Sequence, residues 1–332
     1  MADTPIRVGF VGLSGRGGGL ARQTDELGYN VVAGADVDAE ARASFEDAYD
    51  ATTYESYETL FETADLDAAV IATPNAFHSP AAVAALDADV NVLVEKPLAD
   101  SLEAAHAVAR AEERSDAFGM VGFQRRFYNQ VTAVKSHIEA GRFGELVRIE
   151  VNYARRRGIP DGAKVHEELG GGGVLLDLGA HVLDFAFYFL DFPEIVETVG
   201  TTRSDFMNAD EAVSRWRGPP AETTEVEDAV WGTLRTDDGA LIDVHAAWAQ
   251  HQPDSYDIKI WGTDAGASFN FHNNEVVIYE DDTTAAELEC FFEAVRTGQP
   301  PDTNTIEQGV AVQRAIDGIY RSAEREQKIT LE

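Results

Sequence analysis

Gly9-Phe10-Val11-Gly12-Leu13-Ser14-Gly15-Arg16-Gly17 is the stretch on which the fold turns. It ends an apolar, strand-like run that starts at Arg7 and opens a helical stretch, and backbone amides at a helix N-terminus can hold a pyrophosphate. Read strictly, the pattern is Gly-x-Ser-x-x-Gly. Ser14 stands where the dinucleotide fingerprint has its second glycine, and Gly15 is available for the close backbone approach. Asp36 lies 24 residues beyond Gly12, at the end of the second strand-like run. A carboxylate there accepts hydrogen bonds from an adenosine ribose and repels a 2'-phosphate, which favours NAD over NADP. Strand, loop, helix and carboxylate together predict a dinucleotide site contacted by Gly12, Leu13, Ser14, Gly15, Arg16, Gly17 and Asp36. The alternative is a glycine turn that serves the fold alone.

Outward from this loop, the first third of the chain alternates strand-like runs (7–12, 30–36, 68–73, 90–95 and 119–122) with helical stretches (19–27, 39–48, 57–63, 79–86 and 102–114). The Val, Ile and Ala content of the strands suits a sheet buried on both faces. This is the rhythm of a doubly wound parallel sheet, an α/β Rossmann domain. Ser101 is expected to cap the last of these helices and Gly28 to close the first. After Gln124 the rhythm changes. A helix near 130–140, a strand near 146–155 and an apolar helix over 174–190 lead into strand-like runs between 229 and 279. Their turns at Asp237-Asp238-Gly239, Gly262-Thr263-Asp264 and Asn273-Asn274 indicate antiparallel neighbours. Two helices, over 285–297 and 306–326, close the chain. The expectation is two domains: 1–123 binding the dinucleotide, and 124–332, α+β with a large, mostly antiparallel open sheet, for substrate and self-association.

Acidic residues number 59 against 26 basic ones, a formal net charge of -33, and lysine is confined to positions 96, 135, 164, 259 and 328. Nucleic acid is excluded as an expected partner by that sign of charge. The acids are spread between apolar runs, so they belong to a folded surface. A surface so charged repels itself in dilute salt and is screened in concentrated salt, which points to a salt-loving source. The single cysteine, Cys290, cannot form an internal disulfide, and no basic segment precedes the apolar run from Ile6, so a reducing cytoplasm is expected. The most apolar long stretch is broken by Asp177, His181 and Asp184, so no membrane helix is expected.

Those three residues sit at i, i+4 and i+7 and form one polar stripe on a helix otherwise made of Val, Leu, Ala, Phe and Tyr. A buried stripe of ionisable groups costs several kcal/mol unless partnered, so it is either a structural hydrogen-bond network or an active site. A metal reading is weaker, because no thiolate or second histidine stands nearby at ligand spacing. Lys96 follows a buried-type strand at its carboxyl end, where ligands approach open α/β sheets. The alternative for Lys96 is a snorkelling surface lysine.

Three further segments carry a resemblance: Ala72-Thr73-Pro74-Asn75-Ala76-Phe77-His78, Glu95-Lys96-Pro97, and Gly171-Gly172-Gly173-Val174-Leu175-Leu176-Asp177-Leu178-Gly179-Ala180-His181. Together, in this order, they resemble the family of glucose-fructose oxidoreductase, inositol dehydrogenase and MocA. The resemblance implies an NAD-dependent oxidoreductase that moves a hydride between the cofactor and a sugar, sugar derivative or polyol. It places Thr73, Pro74, Asn75, His78, Glu95, Lys96 and Gln124 beside the cofactor and Lys96, Asp177 and His181 around the reacting hydroxyl. His181 is then the expected proton acceptor, since an ordinary imidazole titrates near working pH, with Lys96 stabilising the alkoxide and Asp177 orienting. Between His181 and Lys96 the choice of base stays open. Two other readings remain: hydride exchange between two sugars on a tightly held cofactor, and a non-catalytic NAD-binding regulator.

Arg125-Arg126 and Arg155-Arg156-Arg157 stand out in so acidic a chain, either as receptors for a carboxylate or phosphate on the substrate or as salt-bridge partners. Arg126 and Tyr153 are taken as substrate contacts. Tyr153, Trp248 and His166 are candidate walls of a sugar pocket, although isolated aromatics more often belong to a core. The resemblance also implies that the open sheet of the second domain joins subunits in a homodimer or a dimer of dimers.

Overall fold

The computed structural model describes residues 6–160, 162–207, 225–273, 275–280 and 292–300, with 306, 308, 310 and 313. The two closing helices expected over 285–297 and 306–326 fall largely outside the described residues, as do Cys290 and Asn274.

Six parallel strands form the first sheet: β1 (Arg7–Val11), β2 (Asn30–Ala35), β3 (Thr52–Tyr54), β4 (Ala68–Ile71), β5 (Asn91–Glu95) and β6 (Gly119–Gly122), in the order β3-β2-β1-β4-β5-β6. Helices α1 (Gly15–Glu26), α2 (Ala39–Tyr49), α3 (Tyr57–Thr63), α4 (His78–Asp87) and α5 (Leu102–Arg114) connect them. The doubly wound arrangement is as expected, with one addition, because β3 is a sixth strand where five were read. The order reverses between β1 and β4. Register aligns Val11 with Ala35 and with Ile71, and Ile71 with Val94. The residues just beyond these, Gly12, Asp36, Ala72 and Glu95–Lys96, therefore gather at the carboxyl edge of the sheet, where such folds bind ligands. The Ser101 hydroxyl caps α5 by accepting from the amide of Ala104, and Gly28 follows α1 with φ +84°.

The second sheet has seven strands: β7 (Leu146–Ala154), β8 (Ile195–Arg203), β9 (Ala229–Thr236), β10 (Leu241–Ala247), β11 (Asp257–Gly262), β12 (Ala265–Asn270) and β13 (Val276–Glu280). Its order is β13-β12-β11-β7-β10-β9-β8, with β7 and β10 parallel and the pairs β8–β9, β9–β10, β7–β11 and β11–β12 antiparallel. Strand β8 had not been read from the sequence. On one face the period-2 pattern brings Ile149, Val151, Ile242, Val244, Ile258 and Ile260 into a core with Val174, Leu178, Val182, Phe185 and Phe189. Helix α6 (Asn129–Glu139) adds Val131 and Val134 to the same core.

The apolar helix is not regular throughout. It enters through a short helix α7 (Glu167–Gly170), widens into a π-turn over Leu175–Gly179, and continues as α8 (Ala180–Phe189). Asp177 lies in the π-turn, a local widening that often accompanies functional sites. By length and composition the run 167–189 is apolar enough to cross a membrane, with mean hydropathy 1.3, yet 61% of its most apolar window is buried within the protein. Val174, Leu178, Val182, Phe185, Ala186 and Phe189 of this run belong to the core.

Candidate active site

The glycine loop is shaped for close approach. Gly12 has φ +86°, and a Cβ there would come within 2.7 Å of the carbonyl oxygen of Ala72. Gly15 has φ +51° and nothing within 4 Å of where a Cβ would stand, which leaves room over the start of α1 for a phosphate. Asp36 is fixed at the end of β2: one carboxylate oxygen accepts from the amide of Leu13 at 2.8 Å and the other from the amide of Asp38 at 2.9 Å. Ser14 precedes α1 in extended conformation without a side-chain cap. Open cradle, helix start and fixed carboxylate fit a dinucleotide.

A cavity of about 150 Å³ continues from the loop, lined by Arg16, Thr73, Asn75, His78, Glu95 and Lys96 and, from the second half of the chain, by Lys164, Gly172 and Asp177. The expected cofactor-side residues Thr73, Asn75, His78, Glu95 and Lys96 are thus brought together, with Pro74 leading into the turn at Asn75–Phe77. Both ring nitrogens of His78 face carbonyl oxygens, of Pro97 at 2.7 Å and Thr73 at 2.9 Å, so the ring braces the wall. Asn75 reaches across to donate to the carbonyl of Gly170 at 2.9 Å.

Lys96, Asp177 and His181 meet at the far end. The Lys96 ammonium donates to the backbone oxygen of Asp177 at 2.8 Å and to its Oδ1 at 3.2 Å. Lys164 donates to the same Oδ1 at 2.7 Å, and the indole of buried Trp248 to Oδ2 at 3.0 Å. Burial alone would raise the Asp177 carboxyl, but Lys96 and Lys164 outweigh it and hold the group well below the usual carboxylate range. Burial lowers Lys96, with Asp177 pushing back and Lys164 pushing the same way as burial. His181 is pushed down to about 2 by burial first and then by Lys96 and Arg125. It is therefore a neutral imidazole, and its Nδ1 has no hydrogen-bond partner among the described residues.

Beyond this cluster lies a larger cavity of about 610 Å³, lined among others by Arg16, Gln124, Arg125, Tyr153, Arg155 and His181. It shares Arg16, Glu95, Lys96, Lys164 and Asp177 with the smaller one. Tyr153 lines this cavity, whereas Arg126 does not: it grips Asp184 through Nε at 3.0 and 3.1 Å and through Nη2, under the rings of Phe123, Tyr188 and Phe192. Arg125, one residue earlier, stands at the cavity instead. Asp184 accordingly leaves the expected stripe, since Arg126 holds its carboxylate, and His166 does not line either cavity.

Sequence reasoning missed Lys164 and Glu227 as parts of the site, and singled out Arg125 only as half of the Arg125-Arg126 run. Glu227 accepts from the amides of Gly173 at 2.9 Å and Leu175 at 3.0 Å and so fixes the start of the π-turn. Only Lys164 carried a signal, as one of five lysines in the chain.

Residues 6–123 match the oxidoreductase family model with an NAD-binding Rossmann fold, and residues 131–268 match the GFO/IDH/MocA C-terminal domain. The D-xylose 1-dehydrogenase (NADP(+)) 2 of Haloferax volcanii is 30% identical over 294 residues, which cover 82% of this chain and 83% of that protein. The D-glucoside 3-dehydrogenase of Escherichia coli is 25% identical, over 100% of this chain and 99% of its own. Among solved structures, a levoglucosan dehydrogenase in complex with NADH shares the fold, with a TM-score of 0.73 over 99% of this chain and 100% of that one, at 21% identity.

Proposed function

Because this chain belongs to the GFO/IDH/MocA family and is a nicotinamide-dependent oxidoreductase acting on CH–OH groups, we propose that it moves a hydride between NAD and a hydroxyl-bearing carbon of a sugar, sugar derivative or polyol. The observation that carries this reading is the junction of the two cavities: the one that continues from the glycine loop and the roomier one share Lys96 and Asp177, with His181 on the roomier side. In this assignment residues 1–123 hold the dinucleotide and 124–332 hold the substrate and a second subunit. A single cysteine suits a reducing cytoplasm.

A nicotinamide dinucleotide held by the glycine loop and Asp36 would supply hydride chemistry at the carbinol carbon. The hydroxyl proton goes to His181 or to Lys96: the His181 ring is neutral, but burial pushes it far below the ordinary imidazole value on which its expected role rested, and burial also lowers Lys96. Lys96 holds its charge beside the developing alkoxide, and polarises the carbonyl in the reverse direction. Asp177 anchors Lys96 and, through Trp248, the floor beneath it. Glu95 holds Arg16 at 2.7 Å, which ties the glycine loop to the strand that delivers Lys96.

A screen of sugars, sugar derivatives and polyols with NAD, followed by absorbance of the reduced cofactor, tests this reading in wild type and Lys96→Ala. Turnover by wild type and a loss of about a hundredfold or more in the variant is expected. No turnover by either protein, with tight NADH binding by both, would make the protein a regulator. Cofactor retained through gel filtration, with turnover only when two sugars are present, would make it a sugar–sugar oxidoreductase.

A further inference from the structure

The larger cavity is cationic in a chain of net charge -33: Arg16, Lys96, Arg125, Arg155 and Lys164 line it against two carboxylates, Glu95 and Asp177. Those carboxylates are engaged, Glu95 by Arg16 and Asp177 by the two lysines. Arg125 and Arg155 both reach the hydroxyl of Tyr153, to which they donate at 3.0 and 2.8 Å. Their donating nitrogens are therefore within about 6 Å of each other whatever the angle at the oxygen, close enough for marked like-charge repulsion away from bulk water. Arg125 makes no ion pair with any described residue, and its Nε and Nη1 are buried without a hydrogen-bond partner among them. Its guanidinium is held by rings, 4.8 Å from the centre of Tyr153 and 4.9 Å from that of Phe271, contacts that position a cation without neutralising it.

The Tyr153 hydroxyl completes the picture. A phenol accepts through its oxygen and donates once, and with two guanidinium N–H groups on the oxygen its hydrogen points elsewhere. Two guanidiniums and an O–H make a set rich in donors, whose complement is a group that only accepts and carries negative charge. The two arginines also draw the Tyr153 phenol below its ordinary value, although burial alone would raise it.

We propose that the substrate bears a carboxylate or phosphate group and that Arg125, Arg155 and the hydroxyl of Tyr153 receive it, so the enzyme handles sugar acids or sugar phosphates in preference to neutral sugars. The proposal rests on the reading of this cavity as the substrate site. The rings of Tyr153 and His181 lie 6.4 Å apart, which puts the anion about one sugar ring from the hydroxyl that His181 faces.

Calorimetric titration of the NADH-loaded protein at fixed salt tests this with D-gluconate, D-galacturonate, D-glucose 6-phosphate and the neutral sugars D-glucose and D-galactose. At least one anionic sugar is expected to bind about tenfold or more tighter than its neutral counterpart. Preference for the acids alone identifies a carboxylate, and for the phosphate alone a phosphate. Arg125→Gln is expected to reduce the ratio of neutral to anionic Kd to within about twofold of one, and Tyr153→Phe, which keeps the ring, to reduce it part of the way. If the neutral sugars bind as tightly as the anionic ones and are oxidised with NAD, the anionic subsite is wrong and the dehydrogenase stands. A preference that survives both substitutions equally overturns the assignment of these residues.

Discussion

Lys164 and Lys96 rest on the same carboxylate oxygen of Asp177, and the more exposed Lys164 is the closer, at 2.7 Å against 3.2 Å. Lys164 lowers Lys96, so Lys164→Met should let Lys96 rise. With His181 as proton acceptor, kcat/KM for oxidation is expected to be flat between about pH 5 and 8, because an imidazole pushed down to about 2 is already deprotonated there. A rising limb in that range that moves to higher pH in Lys164→Met would transfer the role to Lys96. Lys164, with a side chain 53% exposed, should cost at most about tenfold in kcat/KM, against about a hundredfold or more for Lys96, which is 13% exposed.

Cofactor choice follows from the fixed carboxylate of Asp36. NAD should outperform NADP, and Asp36→Ser or Asp36→Ala should narrow the gap by about tenfold or more, since both the ribose hydrogen bonds and the repulsion of a 2'-phosphate are lost. Arg42, which donates to the carbonyl of Asp36 at 2.7 Å, stands beside this position. Steady-state kinetics with both cofactors check this, and equal efficiency of the wild type with either would defeat it.

Salt should matter more than for an ordinary protein. Going from 1 M to 0.1 M salt lengthens the screening distance from about 3 to about 10 Å, which exposes the repulsion of a -33 surface. The melting temperature is expected to fall by several degrees or more over that range. A melting temperature indifferent to salt would refute the halophilic reading.

Self-association is expected through the outer face of the second sheet. That face carries Trp231 and Trp261, each 39% exposed, among ion pairs such as Arg148–Asp243 at 2.7 Å and Lys259–Glu150 at 3.1 Å. The face is mixed in character, and a rim of paired charges around aromatic anchors suits a specific contact. Light scattering in high salt should give a dimer or a dimer of dimers, and Trp231→Glu should shift it toward the monomer. A monomeric wild type at micromolar protein would sink the interface.

Much of this site was readable because its decisive elements are local. The glycine loop, Asp36 and the i, i+4 pair Asp177 and His181 announce themselves within a few turns of chain. What escaped depends on distant partners or on fine geometry. Strand β3 is three residues, Thr52–Tyr54, too short to show a period, and β8 is largely exposed, so it lacks the alternation that marks a half-buried strand. Arg125 and Arg126 are neighbours on one tight turn over Gln124–Phe127, and only tertiary packing sends one to the cavity and the other to Asp184. Glu227 reaches the helix entrance across 54 residues of sequence, and the hydrogen bond that ties Trp248, named only as a possible pocket wall, to Asp177 spans 71, separations over which no local pattern survives.

The indole of Trp248 has a further consequence. It is wholly buried and hydrogen-bonded to Asp177, whereas Trp231 and Trp261 stand partly in solvent on the other face of the same sheet. Among the described tryptophans, one fluorophore therefore sits beneath the reacting groups, shielded from aqueous quenchers, while two others answer to them. Light absorbed by Trp248 can pass to a reduced nicotinamide nearby, so quencher-resistant emission that dims as NADH binds gives an optical record of occupancy without any label.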